Sequence, residues 1–261
     1  MNNVFDLKRF GNYFLYDLRR ARVNYGLSLL ILGLMPAVVF LFYVLISLLF
    51  KHSITGMDHS VQFMSFFIAT VAVIMSAGAR IYGGLTDRRS GANWLLIPVS
   101  RFEKWLSMVL IVCVVVPVIL FALIFGSDTL MATLFPNTYG ESLISQLSIA
   151  VKGIMDEESI TVNLPAILWL NWCESILIFT VGAVCFKKSK VAKTLLCLIA
   201  FSFLLSSLLI LFTGHTHITI DFLSGPDDTE RMFNWFLNIC YTVIIGGLLG
   251  GLYYRIRTLK H

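Results

Sequence analysis

Six long apolar blocks, at residues 27–50, 61–79, 105–126, 164–186, 194–213 and 232–254, alternate with polar stretches along the chain. Each is about twenty residues long, and at ~1.5 Å per helical residue that is enough to cross a hydrocarbon core ~30 Å thick. The pattern predicts an all-α, polytopic membrane protein with six transmembrane helices. Gly33 and Pro36 fall inside the first block, so a kink is expected near Pro36.

The polar stretches have patterns of their own. From Val4 to Tyr25, apolar residues that include Phe10, Phe14 and Leu18 alternate with Lys8, Arg9, Arg19, Arg20 and Arg22. Residues 1–26 therefore predict an amphipathic interface helix in the headgroup layer, or a short helix packed on the loops. Residues 80–104 form the longest connection on the same side. Within it Trp94, Leu95, Leu96 and Ile97 are too apolar for a free loop and too few to cross, which places them against the membrane face or a partner. Ser100 with Glu103 three residues later has capping-box spacing and predicts a helix running into the third block. Residues 127–163 hold Leu143, Ile144, Leu147, Val151 and Ile154 at helical spacing, predicting an amphipathic segment on the opposite face. Gly225–Pro226–Asp227–Asp228 has the composition of a turn. No stretch between blocks holds a soluble domain, so residues 1–261 read as one membrane domain.

Charge fixes the expected topology. Of the 20 Lys and Arg residues, 17 lie before the first block, between the second and third, between the fourth and fifth, or after the sixth. Those gaps hold 4 acidic residues, a balance of +13; the other gaps hold 3 basic and 10 acidic residues, a balance of −7. By the positive-inside rule both termini are cytoplasmic. At 57% hydrophobic and 13% charged residues, the basic balance reflects topology and contact with anionic membrane lipids, and nucleic-acid binding is not expected. Residues 1–26 carry five basic and two acidic residues before any apolar run, unlike a cleavable signal peptide. Cys113, Cys173, Cys185, Cys197 and Cys240 sit within the blocks and read as small buried residues, not as a disulfide framework.

Candidate chemistry is sparse. No phosphate-binding G-x-x-x-x-G-K-[ST], H-E-x-x-H or G-x-S-x-G sequence occurs, and no cofactor or enzymatic activity is expected of this chain. Glu174, one turn after Asn171, lies inside the fourth block. An intramembrane carboxylate is costly unless protonated, paired or facing water, so the two residues are substrate-path candidates; the alternative is a neutral Glu174 bonded to a neighbouring helix. Gly246, Gly247, Gly250 and Gly251 make two overlapping G-x-x-x-G pairs, for packing within the monomer or at a dimer seam. His52, His59, His215 and His217 share a side with Asp58 and Asp221, but His-x-His alone is a weak metal signal and no metal site is assigned.

Three stretches carry a family resemblance: Phe5–Asp6–Leu7–Lys8–Arg9–Phe10–Gly11 with Tyr16–Asp17–Leu18–Arg19, then Asn24–Tyr25–Gly26–Leu27–Ser28–Leu29, then Leu95 to Ser107. With the six-block layout, they resemble the membrane subunit of ABC-2-type exporters, and more closely the permease-like proteins of the Bacteroides group. The resemblance implies a permease in a bacterial cytoplasmic membrane, working as a homo- or heterodimer with a separate ATP-binding cassette ATPase that supplies energy for exporting an amphiphilic or drug-like substrate. It further implies a coupling element at about Thr86 to Lys104, carried by Trp94, Leu95, Pro98, Arg101, Glu103 and Lys104. The alternative is a membrane scaffold or sensor accessory protein that does not transport.

Overall fold

The computed structural model describes residues 5–50, 56–146, 164–215 and 227–258. All regular structure among them is helical. In chain order the main helices are α1 (Leu7–Gly33), α2 (Met35–Leu49), α3 (His59–Tyr82), α4 (Arg88–Leu96), α5 (Arg101–Leu110), α6 (Val116–Leu134), α7 (Leu164–Cys185), α8 (Lys190–His215) and α9 (Asp227–Thr258). Four stretches are long and apolar enough to cross a membrane: His59–Thr86, Arg101–Leu134, Lys190–Ser207 and Asn238–Thr258. The pair α1 and α2, bent by 48°, makes a fifth if it counts as one span, and α7 holds a shorter apolar stretch, Trp169–Cys185. This is a helical, membrane-embedded protein. Leu147, Val151 and Ile154 of the outer amphipathic segment lie outside the described residues, as do His52, His217, Asp221 and Gly225–Pro226.

Two local features have direct sequence causes. Proline lacks an N–H and its ring clashes with the carbonyl four residues back, so a helix cannot run through Pro36 undisturbed. The chain breaks at Leu34 and restarts with Pro36 in the first turn of α2. Pro117 meets the same constraint differently. A five-residue π turn, Ile111–Val115, joins α5 to α6 just ahead of it, and the helix continues to Leu134. That helix is about 51 Å long at ~1.5 Å per residue, so it extends well beyond the 105–126 block at both ends.

The N-terminal segment departs from the expected separate interface helix. α1 runs unbroken from Leu7 to Gly33. Its buried positions, Tyr13, Asp17, Ala21, Tyr25, Leu29 and Gly33, recur every four residues and cross the expected boundary near residue 26 without interruption. The amphipathic half is thus the first part of the helix that enters the apolar block. It is held by packing on α5 and α6 along one stripe.

The chain divides into two compact units, residues 1–81 with 99–161, and residues 82–98 with 162–261. In the first unit, contacts set the helix directions. Arg9 meets Glu103, Asp17 meets Ser107, and the Gly33 carbonyl accepts from Ser127, so α1 runs parallel to α5 and α6. Gly33 is required there, because a Cβ would collide with Leu123. α3 runs the opposite way: its Gln62 donates to the Tyr139 carbonyl, Phe66 stacks on Phe121 and Phe125, and Ser76 bonds Tyr25. Up, down, up is the alternation that three successive spans require. It gathers Arg9, Arg101 and Arg80 at one end of the unit.

In the second unit α7 packs against both α8 and α9. Ile176, Leu177, Val184, Leu252 and Ile256 are buried in this unit. α7 and α8 approach closely at Gly182, where a Cβ would strike Thr194. The remaining faces of α8 and α9 stay open, with Ile199, Phe201, Phe203 and Val243 exposed. Such surfaces are stable in lipid or against another helix, and not in water.

Candidate functional site

The most ordered polar constellation sits at the arginine-rich end of the first unit, centred on Glu103. The Ser100 hydroxyl accepts from the Glu103 amide at 3.2 Å, and the Glu103 carboxylate accepts from the Ser100 amide at 3.0 Å, completing the capping box that the spacing predicts. The same carboxylate accepts from the Asp6 amide at 3.0 Å, and from Arg9 through Nη2 at 2.7 Å and Nε at 3.0 Å. Asp6 in turn caps α1 by accepting from the Lys8 amide. One carboxylate therefore closes the N-termini of two helices whose sequences lie 94 residues apart. Charge-assisted bidentate contacts of this kind are short and directional, so α1 and the start of α5 are held as one body. One turn deeper, buried Asp17 accepts from the Ser107 hydroxyl at 2.8 Å, with Lys104 buried in the same unit.

This placement separates the six residues expected to contact an ATPase. Trp94, Glu103 and Lys104 are buried within the chain and have no surface to offer a second protein. The resemblance places all three in the coupling element, and Glu103 is spent on internal bonds. Leu95, Pro98 and Arg101 are exposed. Leu96 and Phe102, beside them in sequence, are exposed as well. On α1, Phe10 and Phe14 belong to an aromatic row with Phe5, which reaches Phe102 edge-on at 6.0 Å. Arg19 is exposed and Arg20 half-buried.

In the second unit the tight turn Gly83–Thr86 precedes α4, and Lys190 at the start of α8 donates to the Gly83 carbonyl and lies 4.0 Å from Asp87. Within α7, Asn171 accepts from Ser175, one turn on, and Glu174 is half-buried with no polar partner among the described residues. The helix surface around Gly246, Gly247, Gly250 and Gly251 is open: a Cβ at any of the four would meet nothing within 4 Å among the described residues.

The opposite end of the first unit holds a polar knot that sequence reasoning missed. Asp128, which the block boundaries place in an outer gap, is fully buried on α6 and accepts from the Tyr139 hydroxyl at 2.6 Å and the Leu143 amide at 2.7 Å. Burial, reinforced by the Asp128 carboxylate, pushes the Tyr139 phenol well above its ordinary range, so it stays a donor. Gly140, at φ 88, supplies the left-handed turn that brings Leu143 back to this carboxylate. Beside the knot, Gln146 bonds His59 at 2.7 Å and Gln62 at 2.8 Å. The Ser60 hydroxyl and amide hold the Asp58 carboxyl below the usual carboxylate range. No three metal-ligating side chains converge among the described residues. Helical periodicity assigns Asp128 to a helix only if the apolar run is extended past Gly126, and its partners lie beyond any local pattern.

Compared with known proteins, the chain matches no protein-family model, no curated sequence and no solved structure.

Proposed function

We propose that this chain is the membrane-spanning permease subunit of an ABC-2-type exporter, with six transmembrane helices and both termini in the cytoplasm of a bacterial cell. Six spans follow if the bent pair α1 and α2 crosses once and α7 crosses as well. The observation that carries the reading is α4, a nine-residue helix joined by four residues to the capped start of α5. It presents Leu95 and Leu96 outward while Trp94 is buried beneath. A short helix with an apolar tip, placed between two spans on the basic side, is suited to seat in a groove of a partner ATPase. The Glu103 clamp would pass a push on this region to α1 and α5 together. The sequence has no phosphate-binding loop, so nucleotide hydrolysis would fall to that partner. The open glycine face of α9 supports a second permease copy packed at close range, identical or not. Asn171 and Glu174 remain the residues proposed for the path of an amphiphilic substrate.

The test is co-purification in mild detergent from the native host. Wild-type protein should retain an ATP-binding cassette ATPase, and the double variant Leu95→Glu, Leu96→Glu should lose it while keeping wild-type helicity. Retention of the ATPase by that variant would count against the docking assignment. A complex that forms without any stimulation of ATP hydrolysis would favour the scaffold or sensor accessory instead. Glu174→Gln should reduce export more than stability, and wild-type export would remove it from the path.

A further inference from the structure

A cavity of about 520 Å³ lies along the first unit between α1 and the π turn with α6. Its walls run from Leu18 to Leu30 on one side and from Ile111 to Leu123 on the other. Each wall spans about 18 Å at ~1.5 Å per residue, close to the depth of one leaflet of a ~30 Å hydrocarbon core. The lining is aliphatic apart from Arg22, about one turn in from the Leu18 end, and Tyr25 near mid-length. Tyr25 is committed to Ser76 at 2.8 Å. Arg22 is exposed, and its stem lies over Gly26, where a Cβ would come within 3.3 Å of its Cγ. The glycine thus lets the side chain lie flat along the groove. Arg9 pairs with Glu103 and Lys190 with Asp87, whereas Arg19, Arg20 and Arg22 have no carboxylate partner among the described residues. One guanidinium in the lining of an apolar slot one leaflet deep, with Arg19 and Arg20 three and two residues before it in α1, matches an amphiphile with an anionic head and an aliphatic tail.

We propose that this groove binds one anionic phospholipid, its acyl tail between α1 and α6 and its phosphate on Arg22. Dispersion along the slot holds the tail. The unpaired arginines select a net negative headgroup over a zwitterionic one, whose ammonium they repel. A lipid seated there packs against α1, the helix that the Glu103 clamp ties to α5, and so occupies the joint between the interface segment and the third span. Assignment to the cytoplasmic leaflet rests on the orientation proposed above, whereas the site itself does not.

The experiment is native mass spectrometry of the full chain released from mild detergent, with phosphatidylglycerol or phosphatidylcholine of matched acyl chains added at equal concentration. Because micelles have no leaflets, the result is independent of orientation, which labelling in cells tests separately. One phosphatidylglycerol per chain should be retained, favoured over phosphatidylcholine by about fivefold or more, the effect of one basic residue near an anionic surface. Arg22→Gln should bring that preference close to one. Filling the slot with Gly26→Leu should abolish retention of either lipid. Ile119→Trp blocks it from the other wall, and its own retention decides the matter if the α1 variant does not fold. Equal retention of the two lipids by the wild type, an undiminished preference in Arg22→Gln, or unchanged retention in Ile119→Trp would overturn the proposal.

Discussion

Replacing Glu103 by Gln is the sharpest perturbation of the clamp that joins α1 to α5. The substitution keeps the shape of the side chain but exchanges one acceptor oxygen for an NH2 donor. Both oxygens accept in the folded protein: Oε1 from Arg9 and the Asp6 amide, Oε2 from Arg9 and the Ser100 amide. Either orientation of the new amide therefore sets donors against donors, and the position has no access to water that would relieve them. Breaking one side of a buried, hydrogen-bonded ion pair costs about 3–5 kcal/mol, and the one backbone amide stranded in either orientation, that of Asp6 or that of Ser100, accounts for part of it. Arg9→Met should cost less, because the Arg9 side chain is 32% exposed and water can take its place beside Glu103. The two variants can be ranked by reversible unfolding in mixed detergent micelles, followed by helical circular dichroism. Cysteine placed at buried Ala21 gives a local readout, and its labelling should accelerate when the clamp opens. A Glu103→Gln protein within about 0.5 kcal/mol of wild type, the range of an ordinary surface change, would refute the reasoning. So would an Arg9→Met variant that loses as much as Glu103→Gln.

Two further predictions concern sites away from the clamp. Tyr139→Phe removes a buried hydroxyl from Asp128 and should destabilise the protein by about 1.5–3 kcal/mol; Asp128→Ala should cost more, since it also strands the Leu143 amide. Gly182→Ala drives a Cβ into Thr194 at the closest approach of α7 and α8, and should cost about 1–3 kcal/mol. Thr194→Ala combined with it should restore part of that loss in the same unfolding assay, because Oγ1 and Cγ2 leave while the Cβ at 2.9 Å stays; additive losses would place the strain elsewhere.

The helices were legible because lipid imposes a long apolar period that few other structures share. The blocks at 61–79, 194–213 and 232–254 lie inside α3, α8 and α9, and the Ser100–Glu103 spacing correctly located the start of α5. Ends were less legible, because helices continue through polar residues once neighbours satisfy them. Asp128 is the clearest case, a buried carboxylate whose donors come from a turn eleven and fifteen residues away. Asp17 is one of the polar residues of the amphipathic stretch 4–25, yet it belongs to the buried stripe with Tyr13 and Ala21. The packing of α5 alongside, with Ser107 as a donor, helps make that position tolerable for a carboxylate. The capping partner of Glu103 is local and could be read; its other partners, Asp6 and Arg9, are set by tertiary structure. For the same reason residue type alone cannot separate a side chain that grips its own chain, as Glu103 does, from one left for another.

Membrane orientation is the proposition on which the functional reading turns, and single cysteines tested with a membrane-impermeant maleimide address it most directly. In a background with the five native cysteines replaced, Lys188→Cys samples the basic loop between α7 and α8, and Glu141→Cys samples the exposed turn after α6. The cysteine at 141 should react in intact spheroplasts and the one at 188 only after the membrane is opened. Labelling of position 188 in intact spheroplasts, with position 141 protected, would place the cationic loops outside and contradict the account.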